Sequence, residues 1–357
     1  MSHEIQQTDR VSVERCDDPD EWNSFVERHR GPIFTRWEWG TACEAYGHER
    51  VFLGARDGDD LVGVLPLVHV RSVLFGDELV SVPFCSRGSV VAAEAHGAAD
   101  QVERALLDRA SELADERGVD FLSLRGRELD APAAYEHRQR WVTFEVPTGD
   151  GADAVWDALD GNRRNHVRQG QENDLDVRIG DSIEDLEEFY RLYLQSMRGH
   201  GSPPHSFGWF RRLWEAFHGD GHLLLFLVEK DGTTVNASIE LPHAGRVHGY
   251  KGVSDYEYRD LDGGSLIQWK ALEWAAENDY DAYDFGRTRE GTGVYTYKKS
   301  WGGEKVGLDD YHYFPGGEGE LPSVDNERYE PLKRMWRRVP LSVTRVVGPR
   351  IRRGISL

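Results

Sequence analysis

Apolar positions follow two rhythms along this chain, and each rhythm predicts elements. Helical spacing over Asp20–Arg30, and again beyond Gly31-Pro32 over Trp37–Tyr46, predicts two opening helices. Apolar runs at Arg50–Ala55 and Leu61–Val70, read as strands, then flank the polar Asp57-Gly58, the signature of a hairpin. A strand at Glu78–Pro83, an amphipathic helix at Ala99–Arg117 closed by Gly118, and a short strand at Phe121–Leu124 complete the first set. The order then returns. Helices at Ile183–Met197 and Phe207–Phe217 precede strands at His222–Glu229 and Thr233–Leu241 turned at Asp231-Gly232, a strand at Arg246–Val253, a helix at Ser265–Asn278 and a strand at Ala282–Phe285. The offset is roughly 170 residues, a repeat of order and not of identity. Between the sets, Asp153–Asn173 predicts one long helix carrying Arg163, Arg164 and Arg168. The fold class expected is α+β, with two tandem units in which helices flank a mixed, mainly antiparallel sheet. The first domain is placed at residues 1–150, the second at 151–315, and a basic tail at 316–357.

Composition narrows this picture. A chain of 357 residues with 39% hydrophobic and 11% aromatic residues can bury two real cores. No apolar run approaches the roughly 18 residues of a membrane span. The three cysteines, Cys16, Cys43 and Cys85, are odd in number, and no group of residues has metal-ligand spacing, so no metal is expected. Without an apolar leader, the expected compartment is the cytoplasm. The net charge is −20 and only seven residues are Lys, the first being Lys230. An acidic, lysine-poor surface stays hydrated in strong salt, which predicts a high-salt cytoplasm of the haloarchaeal kind. The charge is uneven: Pro331–Leu357 holds eight basic residues and no acid, which leaves −28 on the rest. Such a body repels nucleic acid unless a local basic patch or the tail overrides its field.

Four segments carry a family resemblance: Asn162-Arg163-Arg164-Asn165-His166-Val167-Arg168, Met197-Arg198-Gly199-His200-Gly201-Ser202-Pro203, Tyr283-Asp284-Phe285-Gly286-Arg287, and Gly293-Val294-Tyr295-Thr296-Tyr297-Lys298-Lys299-Ser300-Trp301-Gly302-Gly303. With the order of elements they resemble a tandem GNAT acyltransferase of the Fem (FemAB-like) type. The resemblance implies an N-acyltransferase that passes an acyl or aminoacyl group to an amine of a cell-envelope glycan or peptide precursor. It implies no tightly bound cofactor, and a donor that is aminoacyl-tRNA or acyl-CoA. The alternatives are a CoA-dependent N-acetyltransferase and a non-catalytic scaffold of the same fold.

The candidate residues follow. Where a GNAT protein has the tyrosine of its short C-terminal helix, this chain has Lys298, and in Fem proteins that lysine is implicated in stabilising the aminoacyl ester or the oxyanion. A cation there stabilises the charge of the tetrahedral intermediate. Asp284, at a strand end, is the candidate to take the amine proton or orient the acceptor, with a mutual Asp284–Arg287 pair as the plainer reading. Tyr250 and Lys251 point toward the same region. Gly263, Gly264 and Ser265 open a helix that would meet a donor pyrophosphate, although Asp260 and Asp262 beside them oppose an anion. Arg198, with His200 and His205, lies on a loop expected over an acceptor cleft. Arg163 and Arg164, with Arg168, read as a patch for tRNA phosphate or an anionic lipid carrier, or as a helix-surface ion pair with Glu172. The first half has no lysine to match the phosphate-contacting lysine of murein-precursor enzymes in the family, so Arg36 or Arg87 is the candidate substitute. The tail, with Met335, Trp336, Val343, Val346 and Val347 among arginines, either rests on the cytoplasmic face of an anionic membrane beside a lipid-linked acceptor or packs on the acidic body.

Overall fold

The computed structural model describes residues 11–93, 99–322 and 330–356. In the first half, β1 (Ser12–Arg15), β2 (Glu49–Asp57), β3 (Asp60–Ser72), β4 (Gly76–Val80), β5 (Val91–Ala92), β6 (Phe121–Arg125) and β7 (Tyr135–Pro147) accompany helices α1 (Pro19–Arg28), α2 (Trp37–Cys43) and α3 (Ala99–Arg117). The second half holds α4 (Ala152–Ala158), α5 (Gly161–Glu172), β8 (Asp176–Gly180), α6 (Ile183–His200), α7 (Phe207–Phe217), β9 (Leu224–Lys230), β10 (Thr233–His243), β11 (Arg246–Ser254), α8 (Gly263–Glu277), β12 (Ala282–Asp284), α9 (Gly293–Lys299) and β13 (Glu304–Tyr313). Helices α10 (Glu330–Trp336) and α11 (Leu341–Arg352) follow.

All strands join one sheet in the order β1-β2-β3-β4-β6-β13-β7-β12-β11-β10-β9-β8, with β5 on β3. Among the described strands, only β4–β6 and β11–β12 pair in parallel. The order is symmetric about the β13–β7 contact because the halves exchange their last strands. β7 pairs with β12, while β13 pairs with β6. Neither strand was visible as a repeat, since each finds its partners across the chain.

Both hairpins form, the first turning one residue later than expected, at Gly58-Asp59 between the paired Asp57 and Asp60. Asp231 and Gly232 both adopt positive φ, the backbone a two-residue turn needs to match strand twist. The segment expected as one helix is two. Leu159 is extended, and Asp160 caps α5 by accepting from the Arg163 amide at 2.6 Å. One core joins the halves: Trp39 of α2 meets Trp209 of α7 edge to face at 5.6 Å and donates to the Pro83 carbonyl. Helix α7 buries Trp209, Phe210, Leu213, Trp214 and Phe217 on one face, each worth about 1.5–3 kcal/mol of transfer free energy.

The tail packs on the body. Thr344 and Gly348 of α11 are buried, a Cβ at Gly348 would lie 2.3 Å from Pro204, and Arg352 donates to His205 at 3.0 Å. Leu332, Met335, Val343, Val346 and Val347 face outward. Part of the region 316–357, residues 323–329, lies outside the described residues. No helix among those described is long and apolar enough to cross a membrane.

Candidate active site

Strands β11 and β12 run parallel for three residue pairs, from Arg246–Ala282 to His248–Asp284, and then part. The parting has a local cause. Gly286 adopts φ +71°, its amide donates to Asp284, and a Cβ there would stand 3.1 Å from the Gly249 carbonyl oxygen, so only glycine fits this bend. The edge Gly249–Ser254, the bend and the first turns of α8 and α9 enclose a cavity of about 450 Å³, lined by Ser238, Glu240, Tyr250, Lys251, Gly264, Tyr283, Tyr297 and Lys298.

Its charge is set by two lysines. Lys298 donates to the carbonyls of Phe285, Gly286 and Arg287 at 2.6, 2.8 and 3.1 Å, so its ammonium pins the bend. Burial draws its pKa down to about 8, against the pull of Asp284. Lys251 differs: its Nζ lies 4.5 Å over the Tyr250 ring, and among the described residues it donates no hydrogen bond and meets no carboxylate. Burial, with the charges of Arg352, Arg287 and Lys298, draws it down to about 7. On the same wall, Glu240 accepts from Tyr283 at 2.8 Å, and burial pushes its carboxyl up to about 7. Nothing in the local sequence marks Glu240, because its neighbours arrive from another strand.

Asp284 belongs to the other side of the sheet. It is fully buried and meets Arg87 at 3.0 Å, His248 at 3.3 Å, Thr143 and the Gly286 amide. His248 and Arg87 hold it far below the usual carboxylate range despite burial. It is thus an anchor of the bend and no free base, since a carboxylate so stabilised has little affinity for a proton. The expected Asp284–Arg287 pair does not form. Arg287 instead reaches the Cys85 carbonyl at 3.4 Å and lies over Trp141, with burial bringing it down to about 10. Asp284, Arg87, Arg30, Arg246, His243 and His248 border a second cavity of about 320 Å³. Arg36 is occupied elsewhere, by Glu27 and Glu38.

Three further expectations change. Arg163 turns inward, donating to Ser265 at 3.1 Å and Ser300 at 2.6 Å between the rings of Tyr297 and Trp301, so it clamps α8 to α9 and offers no surface charge. Arg164 reaches the Asp157 carbonyl and Arg168 covers Trp156, which leaves no common patch and no pair with Glu172. At the head of α8, Gly263 abuts Asn236, Ser265 receives Arg163, and Gly264 accepts from Tyr297 while lining the cavity. Asp262 beside them binds His166 at 2.9 Å. These groups serve packing, and they form no anion cradle. Finally, Arg198 lines neither cavity: it and His200 sit in the last turn of α6 and not on a loop, and the segment beyond them lies under α11, where His205 is buried between Tyr46 and Arg352.

This frame, a sheet splayed between two parallel strands beneath a helix N-terminus and repeated once, defines a tandem GNAT fold. Residues 161–299 match the family model described as an acetyltransferase (GNAT) domain. The structure is similar to that of FemX, with TM-score 0.70 and 17% identity over 90% of this chain and all of that one. It also resembles L-PGS from Bacillus licheniformis, with TM-score 0.56 and 12% identity over 94% and 98% of the two chains. A tandem GNAT protein from the clavulanic acid biosynthesis pathway gives 0.55 and 12% over 86% and 99%. A curated relative, the UDP-N-acetylmuramoylpentapeptide-lysine N(6)-alanyltransferase of Weissella viridescens, is 23% identical over 135 residues, which span 38% of this chain and 40% of that enzyme. The chain thus shares the tandem GNAT fold of FemX and carries a match to the GNAT domain model over residues 161–299. None of these relatives supports the high-salt origin expected from the charge.

Proposed function

We propose that this protein is an aminoacyltransferase that moves an aminoacyl group from the ester of a charged tRNA to an amine of a peptidoglycan-precursor peptide carried on a nucleotide or a lipid. The observation that carries the reading is Lys251, desolvated and without a hydrogen-bond partner, beside Lys298 in the splay of β11 and β12. The acceptor nitrogen attacks the ester carbonyl, and the carbon–oxygen bond to the ribose then breaks. Neutral Lys251 takes the proton that the nitrogen loses and returns it to the departing ribose oxygen. Lys298, already donating to three carbonyls, acts through its charge: it stabilises the oxyanion and keeps the bend in place. The second cavity, bordered by Arg30, Arg87 and Arg246, suits the anionic part of the acceptor. Arg198, Arg163 and Arg164 take no part in this reading. The outward apolar positions of α10 and α11, set among Arg334, Arg337 and Arg350, suit peripheral contact with an anionic membrane that presents a lipid-linked acceptor.

The CoA alternative lacks support at the head of α8, where Asp262 and the packed Gly263 stand in place of an anion cradle. The test is label transfer. Radiolabelled alanyl-tRNA, or labelled acetyl-CoA, is incubated with UDP-linked and lipid-linked muramyl pentapeptide. Label passing from tRNA to either peptide supports the reading. Transfer from acetyl-CoA alone replaces it with the acetyltransferase, and no transfer from any aminoacyl-tRNA replaces it with the scaffold.

A further inference from the structure

His243 ends β10, and its side chain is 2% exposed, yet neither ring nitrogen has a hydrogen-bond partner. A neutral imidazole carries one N–H and one lone pair, and leaving such groups buried without partners costs about 1–3 kcal/mol each. The ring is nonetheless aimed at other ligating groups. Its Nδ1 lies 3.7 Å from Glu27 Oε2 on α1, and its ring stands 5.1 Å from that of His222 at 77°. His222 Nδ1 lies 2.9 Å from the Pro242 carbonyl. A carbonyl only accepts, so Nδ1 carries the proton and Nε2 is left with a free lone pair. This is the arrangement in which a backbone carbonyl orients a metal-bound histidine.

We propose that Glu27, His222 and His243 form a binding site for one divalent cation of the zinc class, joining the first half of the chain to the second. One ligating atom from each residue falls within 4.8 Å of the others. The edge of a zinc tetrahedron with bonds near 2.0–2.1 Å is about 3.3 Å, so closure needs the ligating atoms to approach by up to about 1.5 Å. The shift falls on Glu27, which is half exposed, and on the partly exposed His222. Arg36 now shares Glu27 Oε2 at 3.2 Å, but it also reaches Glu38 at 3.3 Å, so Glu27 can turn to the metal without stranding the guanidinium. Two imidazoles and one carboxylate select zinc or its neighbours over calcium and magnesium, which take oxygen ligands. The fourth position falls to water. His243 also borders the 320 Å³ cavity, so the metal braces the wall of that cavity.

The test uses the full chain stripped with chelator and titrated with cobalt(II), then zinc(II). One equivalent of cobalt should bind with the strong visible absorption of four-coordinate cobalt, zinc should displace it, and saturating zinc should raise the Tm by several degrees. His222→Ala and Glu27→Gln change partly exposed side chains and should fold with the circular dichroism of the parent. Each should weaken cobalt binding at least tenfold and abolish the shift. Absence of stoichiometric cobalt binding, or unchanged binding in both variants, overturns the proposal. The readout is independent of aminoacyl transfer, so failure of the proposed activity leaves it standing.

Discussion

The two halves repeat one frame and use it in opposite ways. In the second half, β11 and β12 part around a cavity of about 450 Å³ that holds two lysines. In the first half, β4 and β6 pair in parallel over the equivalent three residues, Glu78–Phe121 to Val80–Ser123, and the space beyond is filled. There Arg125 donates to Glu78 at 3.0 Å and to the Ser356 carbonyl at 2.9 Å, while the Phe84 amide donates to the same carbonyl at 2.7 Å. A cavity bordered there by Glu78, Phe121 and Ser356 is only about 30 Å³. A splayed sheet therefore has no chemistry of its own. What occupies the splay decides: a buried arginine saturated by the C-terminal segment in one half, and in the other a lysine without a hydrogen-bond partner, Lys251, beside one held by three carbonyls.

Several substitutions can break or sharpen this contrast. Arg125→Leu leaves Glu78 buried without its partner and removes the hold on Ser356, so it should cost about 3–5 kcal/mol, read as a lower urea midpoint. Unchanged stability would mean the closed splay is not held by that ion pair. Lys298→Ala acts on the open side and should lower transfer by about 10²–10³-fold. The Tm should fall as well, since three carbonyls lose their donor, and full activity would remove Lys298 from the chemistry. Lys251→Met tests the unpaired amine through pH. The lysine pKa is depressed to about 7, so its neutral form accumulates above that value, and the parent's rate should rise with pH through about 7. The variant should lose that limb. A depressed lysine destabilises the fold below its ordinary pKa, so the variant should also have the higher Tm at pH 6, with the difference shrinking toward pH 10. The smallest effect is expected from Arg163→Met, which loosens α8 from α9 and should lower both stability and rate by roughly tenfold or less, since it removes hydrogen bonds to two serines and two ring contacts.

Much of this frame was legible before the structure, because it rests on local signals. The turns at Gly58 and at Asp231-Gly232, the buried faces of α6 and α7 and the glycines near α8 are each written within a few neighbouring residues. The strand exchange was not, since β7 and β13 find their partners across the whole chain. The site divides in the same way. Lys298 stood out by its place in a motif, and Tyr250 and Lys251 by their strand. The direction of Arg163 was hidden, because helical spacing gives a face and not the aromatic pair waiting on it. The partners of Asp284 come from residues 87, 143 and 248, and the ligating trio joins residue 27 to residues 222 and 243. Spacing within the sequence cannot reveal either group.

The difference in amine chemistry between the halves can be measured directly. An amine-reactive acetylating reagent applied near pH 7 modifies lysines in proportion to their neutral fraction and access, and mass spectrometry reads the rate at each site. Lys251 should react well ahead of the exposed Lys305, whose pKa is raised by Glu290, and a non-hydrolysable aminoacyl-adenosine should protect it. Labelling of Lys251 no faster than that of Lys305, or unaffected by the analogue, would contradict the assignment of the open splay as the site of acyl transfer.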